Sequence, residues 1–142
     1  MACIDPFVYF NGNAKEAFTF YKSVFGGEFA RISYYGDLAD QFPVAENDKN
    51  RIMYIILPVG NSGLLMGSDT LEIMGPVPEN DNRHSISITA ESRTEADRLF
   101  QSLSEGGSVE MPISDGPTGA YFGMVADRFG VKWMVNFEES NL

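Results

Sequence analysis

The sequence offers few side chains for chemistry other than carboxylates. His84 is its single histidine and Cys3 its single cysteine. Serine-histidine-aspartate catalysis is not indicated, because no Gly-x-Ser-x-Gly elbow is present for His84 to serve. One cysteine excludes an internal disulfide framework and a multi-thiolate zinc site. Carboxylates cluster at Asp37 and Asp40, at Glu46 and Asp48, and at Glu79 and Asp81. Paired carboxylates can act as acid and base when their surroundings drive their pKa values apart. These lie in polar stretches without an apolar setting, so they read as solvated loops.

The balance of charge narrows the partners. With 20 acidic and 10 basic side chains in 142 residues, the net charge is -10. That argues against nucleic acid and anionic membrane as partners. No apolar run approaches the ~20 residues of a membrane span, and residues 1–10 lack a basic signal-peptide start. The expectation is an acidic cytoplasmic domain that folds without metal or cofactor. A chain of this length buries roughly 70% of its unfolded surface.

The elements that must position these groups follow from pattern. Residues 7–10 read as a strand, and Asn11, Gly12 and Asn13 break it, with Asn13 as helix cap. Ala14, Ala17, Phe18, Tyr21, Val24 and Phe25 have helical spacing, and Gly26 and Gly27 end that helix. Strands are expected at 29–35, 52–57 and 64–68, the last two joined by a hairpin at 60–63. Residues 36–50, polar, acidic and turn-rich, are expected to form a long loop or a short irregular helix. Residues 74–82, with Gly75, Pro76 and Pro78, are the linker between a first module at 1–73 and a second at 83–142. There the order returns: a strand at 84–90, a helix at 93–105 with Ser92 and Glu95 as a capping box, a short strand at 109–112, then a hairpin from 121–126 to 131–137.

The two halves are an internal repeat. Glu16 and Ala17 match Glu95 and Ala96 at an offset of 95 − 16 = 79 residues, and Ser23 matches Ser102 at 102 − 23 = 79. One helix cannot cover both faces of a four-stranded sheet, so each half leaves a face for the other half or for a ligand. The fold class is α+β: two βαβββ modules in tandem, making a curved eight-stranded mixed sheet with a cup-shaped cavity.

Several strings carry a family resemblance. They are Ala17-Phe18-x-Phe20-Tyr21-Lys22-Ser23-Val24-Phe25-Gly26-Gly27, Leu65-Met66-Gly67-Ser68-Asp69, Glu95-Ala96-Asp97-Arg98-Leu99-Phe100, and Phe122-Gly123-Met124 through Asp127-Arg128-Phe129-Gly130-Val131-Lys132-Trp133-Met134. In this order the chain resembles the vicinal oxygen chelate superfamily of glyoxalase I, bleomycin-resistance proteins and extradiol dioxygenases, and within it the PhnB-like branch. That branch is often labelled 3-demethylubiquinone-9 3-methyltransferase. No glycine-rich strand-to-helix loop for a nucleotide-like methyl donor supports that label here.

The resemblance implies a divalent metal held by one side chain from the first and last strand of each half. Counting along the motifs places Pro6, Gly67, Ser85 and Met134 at those positions. None is a normal ligand, so no metal and no cofactor is expected. His84 adjoins one position and reads either as a lone ligand or base, or as a residue of the rim. Alternation then puts Ser85, Ser87 and Thr89 on the cup face, with Lys132, Met134 and Asn136 beside them and Trp133 under the helix. Lys132 reads as the group that holds an anionic or carbonyl-bearing ligand, or as part of an empty groove. Tyr54, where relatives of the branch often carry His, reads as a weak acid-base group or a core aromatic. Phe10 and Phe122 complete the candidate ligand contacts, with packing as their alternative, and the catalytic residues are unknown. The expected function is small-molecule binding in the cup by a homodimer. A metal-independent lyase or isomerase using Lys132, Tyr54 or His84 is the alternative.

Overall fold

A computed structural model describes residues 2–139 and divides the chain between Val77 and Pro78 into two compact units. The N-terminal unit runs β1 (Phe7–Phe10), α1 (Ala14–Phe25), β2 (Arg31–Tyr34), β3 (Ile52–Val59) and β4 (Gly63–Asp69). The C-terminal unit repeats this as β5 (Ile86–Thr89), α2 (Arg93–Ser104), β6 (Ser108–Asp115), β7 (Ala120–Ala126) and β8 (Lys132–Glu138). The eight strands form two four-stranded mixed sheets, ordered β1-β4-β3-β2 and β5-β8-β7-β6, with β1-β4 and β5-β8 the parallel pairs. The helices begin 93 − 14 = 79 residues apart and are each 12 residues long. Among the described residues no helix is long and apolar enough to cross a membrane.

Each helix exists because its apolar stripe has a sheet to cover. Ala14, Ala17, Phe18, Tyr21 and Val24 of α1 are buried, and the helix lies on β3 and β4. Ala96, Leu99, Phe100 and Leu103 of α2 are buried on β7 and β8. Gly26 ends α1 with φ of 79°, a conformation that costs glycine no Cβ clash. Ser92 caps α2 by accepting from the Glu95 amide at 3.0 Å. Helix α1 is capped differently from the expectation. Asn13 makes no side-chain cap bond, and the carboxylate of Asp69, 55 residues on, accepts from the Ala14 and Gly12 amides at 2.9 and 3.0 Å. Its other oxygen accepts from the Ile52 amide at 2.8 Å, so one buried group joins α1, β3 and β4.

Between the strands, the expected mixture of loop and short irregular helix takes a definite form. The loop at 36–50 contains two short 3-10 turns, Tyr35–Leu38 and Glu46–Asp48, and a third, Glu72–Met74, follows β4. Strand β6 is longer than 109–112 and carries two register shifts, around Glu110 and between Met111 and Ser114. Pro112 lies in the second irregular stretch, where a strand tolerates the missing N–H.

A second buried carboxylate fixes the last hairpin. Asp127 is 3% exposed. Its Oδ1 accepts from the Phe129 and Val131 amides at 2.8 and 3.1 Å, and its Oδ2 from the Trp133 indole at 2.8 Å. Asp127→Ala strands three donors, two of them buried and one part-buried, and hydrogen bonds to charged groups are worth ~1.5–3 kcal/mol each. The expected result is a loss of ~3–5 kcal/mol in urea unfolding followed by the fluorescence of Trp133, the only tryptophan. A loss below ~1 kcal/mol would show that the turn stands without this anchor.

Candidate functional site

The face of each sheet away from its own helix is where binding groups can collect. In the C-terminal unit Trp133 and Val135 of β8 are buried on the α2 side, and alternation turns Lys132, Met134 and Asn136 to the open face. Register places Met111 beside Met124, Met124 beside Met134, and Met134 beside Ser87, a row across all four strands. The bulge in β6 makes this row: two residues, Glu110 and Met111, oppose the single Met124, so both reach the open face. Glu110 forms an ion pair with Lys132. The ammonium side chain is 8% exposed and the carboxylate side chain 35% exposed. Beyond the methionines, Asn136 donates to Ser87 Oγ and to the Ile88 carbonyl, both at 3.1 Å, and Thr89 donates to Asn136 Oδ1 at 3.3 Å. Phe122, opposite Asn136, closes that end. The face thus has an ionic pole, a thioether floor and a hydroxyl-amide pole.

The open face of the N-terminal unit is aromatic. Phe7 stands 5.2 Å from Tyr9 and 5.8 Å from Tyr54, ring centroid to centroid. Tyr54 donates to Met66 Sδ at 3.3 Å, and the Arg31 guanidinium lies 5.7 Å from its ring. Tyr54 therefore lies on this open face and not in the core. Phe10 is a correction. It is 3% exposed and packs edge-on against Phe18 of α1 at 6.0 Å, so it belongs to the core and contacts no ligand on the open face. His84 and Ser85 precede β5 in an exposed segment.

Two tyrosines have raised pKa values, Tyr121 on the α2 side of its sheet and Tyr35 beside Ser68 and Tyr9 of the N-terminal open face. Tyr121 is raised chiefly by its hydrogen bond to Asp97 of α2. Tyr35 is raised first by burial and then by the Asp69 charge, and its hydroxyl donates to the Asp69 carbonyl at 3.0 Å.

The profile of the glyoxalase/bleomycin resistance protein/dioxygenase superfamily matches residues 3–135. The chain belongs to this superfamily. Protein PA1353 of Pseudomonas aeruginosa is 41% identical, with a TM-score of 0.84 over 99% of this chain and 100% of that one. A putative 3-demethylubiquinone-9 3-methyltransferase, PhnB protein, of Bacillus cereus is 27% identical, with a TM-score of 0.72 over 96% and 99%. Protein YjdN of Escherichia coli is 23% identical over 94% of this chain and 93% of its own.

The superfamily's divalent metal does not fit the residues present. Gly67 points to the helix, not to the open face: a Cβ there would lie 2.7 Å from the Phe18 ring and 2.8 Å from the Val8 carbonyl. The expected ligand positions in the first half were one residue out, since the open face of β1 and β4 carries Phe7, Tyr9, Met66 and Ser68. The corresponding strands of the second half carry Ser87, Thr89, Lys132, Met134 and Asn136. Neither the expected nor the corrected positions supply imidazole or carboxylate, the donors that such metals take. Among the described residues no three His, Cys, Asp or Glu side chains group as a metal site. Elemental analysis after incubation with nickel, zinc or manganese and dialysis is expected to find well under one equivalent. A full equivalent that is lost in Met134→Ala would contradict this assignment.

Glu110, Met111 and Met124 were not among the sequence candidates. Their one sequence signal is Pro112, which marks β6 as irregular and makes simple alternation unsafe there.

Proposed function

We propose that this superfamily member binds a small molecule on the open face of its C-terminal sheet, without the superfamily's metal. The observation that carries the reading is Lys132, buried on that face and paired with Glu110. Desolvating a lysine costs several kcal/mol before its partner offsets part of it, and a hydrophobic residue of similar volume would pack at least as well. A ligand carboxylate or carbonyl that meets the ammonium supplies a reason for a lysine there. The methionine row accepts varied apolar shapes because thioether side chains are flexible and polarizable. Ser87, Thr89 and Asn136 orient a polar group at the far pole.

The second reading, a metal-independent lyase or isomerase, rests on the same Lys132–Glu110 pair as base and acid. Of the other groups it would use, the Tyr54 hydroxyl is engaged with Met66 and His84 lies outside β5. Binding is the better supported reading, because Tyr54 and His84, the other groups that catalysis would use, lie outside this face.

A thermal-shift screen against metabolites and antibiotics supplies a ligand, and Lys132→Met then tests the site. The expected outcome is a midpoint within ~4 °C of the parent. Affinity should fall at least about tenfold, or ~1.4 kcal/mol. Glu110→Gln releases the ammonium and should tighten binding of an anionic hit. Unchanged affinity in Lys132→Met would refute the site.

We also propose a homodimer. Each sheet leaves two edge strands, β1 and β2 in one, β5 and β6 in the other, and proteins cover or blunt such edges. Light scattering should give about 31 kDa, twice the chain mass of 15.7 kDa. A mass of one chain at micromolar concentration would rule it out.

A further inference from the structure

A cavity of about 610 Å³ lies within the N-terminal unit, between the segment that joins β2 to β3 and the turn after β4. Its wall is apolar: Leu38, Phe42, Val44, Leu71 and Ile73 line it. Phe42 and Ile73 are 60% and 91% exposed, a large apolar area to leave in water. The volume is in the range that holds a drug-sized molecule. The charge around it has one sign. Segments 35–48 and 71–73 contain Asp37, Asp40, Glu46, Asp48 and Glu72 and no lysine or arginine. Two cations reach them from outside: Lys49 pairs with Glu46 at 2.9 Å and Arg51 with Asp48 at 3.5 Å. Five carboxylates less two cations leave a net charge of -3. Asp48 and Glu72 lie in the cavity wall itself. Asp48 is 3% exposed and accepts from the Glu72 amide at 3.2 Å, while Glu72 accepts from the neutral side-chain amide of Asn47 at 3.3 Å.

We propose that this cavity is a second binding site, which takes a small hydrophobic amine. The apolar body covers Phe42 and Ile73 and sits among Leu38, Val44 and Leu71. The ammonium lies toward Glu72 and Asp48. An apolar wall alone would accept a neutral or anionic molecule as readily. The net negative charge left after Lys49 and Arg51 selects the cation, because an anion brought to this mouth is repelled where low-dielectric walls weaken screening. The site lies in the N-terminal unit and shares no residue with the Lys132 face, so either can fail while the other stands.

Three probes with one ring system separate the contributions: 1-naphthylmethylamine, 1-naphthalenemethanol and 1-naphthoate. Each is titrated into the full chain, with methyl groups observed by NMR. The amine should saturate and shift the methyls of Leu38, Val44, Leu71 and Ile73. The alcohol should bind about tenfold more weakly and the carboxylate more weakly still. Raising salt from ~20 to ~300 mM should weaken the amine and leave the alcohol unchanged. Glu72→Gln, at an exposed position, should reduce amine affinity several-fold without changing that of the alcohol. Val44→Trp should fill the cavity and abolish both, with the methyls of Ile55 and Leu57, buried in the core of the same unit, reporting an intact fold. Equal affinities for amine and carboxylate, absence of saturation, or shifts confined to Met111, Met124 and Met134 would each overturn the proposal.

Discussion

The carboxylate of Asp127 is the constraint on which the open face of the C-terminal sheet depends. A short turn between β7 and β8 leaves the Phe129 and Val131 amides without strand partners, and both donate to Asp127. The same group receives the Trp133 indole N–H, which holds that ring on the helix side of β8. Once Trp133 is fixed there, alternation leaves Lys132, Met134 and Asn136 the other face. A slip of one residue would bury Lys132 under α2 and expose the tryptophan, an exchange opposed by both desolvation and lost apolar burial. Asp69 plays the matching part in the first unit, where it joins the starts of α1 and β3 to the end of β4. The two units thus solve the same problem with carboxylates at different places in the repeat.

The superfamily scaffold is kept, but the positions corresponding to its metal ligands carry neither imidazole nor carboxylate. Phe18 of α1 packs so close to β4 that position 67 has no room for a side chain, so the helix-facing side of this strand is given over to packing. On the opposite faces stand aromatic, thioether, hydroxyl and amide groups where the superfamily's enzymes carry metal ligands. The faces of the two units differ in kind. One is a set of rings with an arginine above Tyr54; the other carries a single ion pair at the end of a methionine row. Groups of this sort suit the binding role proposed for the C-terminal face, since none of them polarises a carbonyl as a Lewis acid would.

The fold was legible because each half repeats signals that act over short range. Helix stripes, paired glycines after each helix and the Ser92–Glu95 box need only neighbouring residues to be read. The errors came where distant groups decide. Asn13 has the right chemistry for a cap, but Asp69 reaches the helix start from the far end of β4. Pro6 and Gly67 were counted along the chain from a helix motif and a hairpin, and one residue of error reversed the face. Phe10 is open to two readings in the sequence, ligand contact or packing, and its parity with Val8 sends it to α1 and decides for packing. Alternation about Gly130 separates Lys132 from Trp133 in the sequence, and the sheet separates them too. Glu110 and Met111 were illegible, since a bulge breaks the period-two rule by which strand faces are read.

The account centres on Lys132 as the group that meets the ligand on a face without a metal. The most direct measurement is a crystal structure with a ligand from the screen, collected at a wavelength where bound transition metals scatter anomalously. The expected result is a ligand oxygen within ~3.2 Å of Lys132 Nζ, an apolar portion over the methionine row, and no anomalous peak beside the ligand. A ligand bound through a metal ion, or one seated with Lys132 still closed on Glu110 and out of contact, would contradict the account.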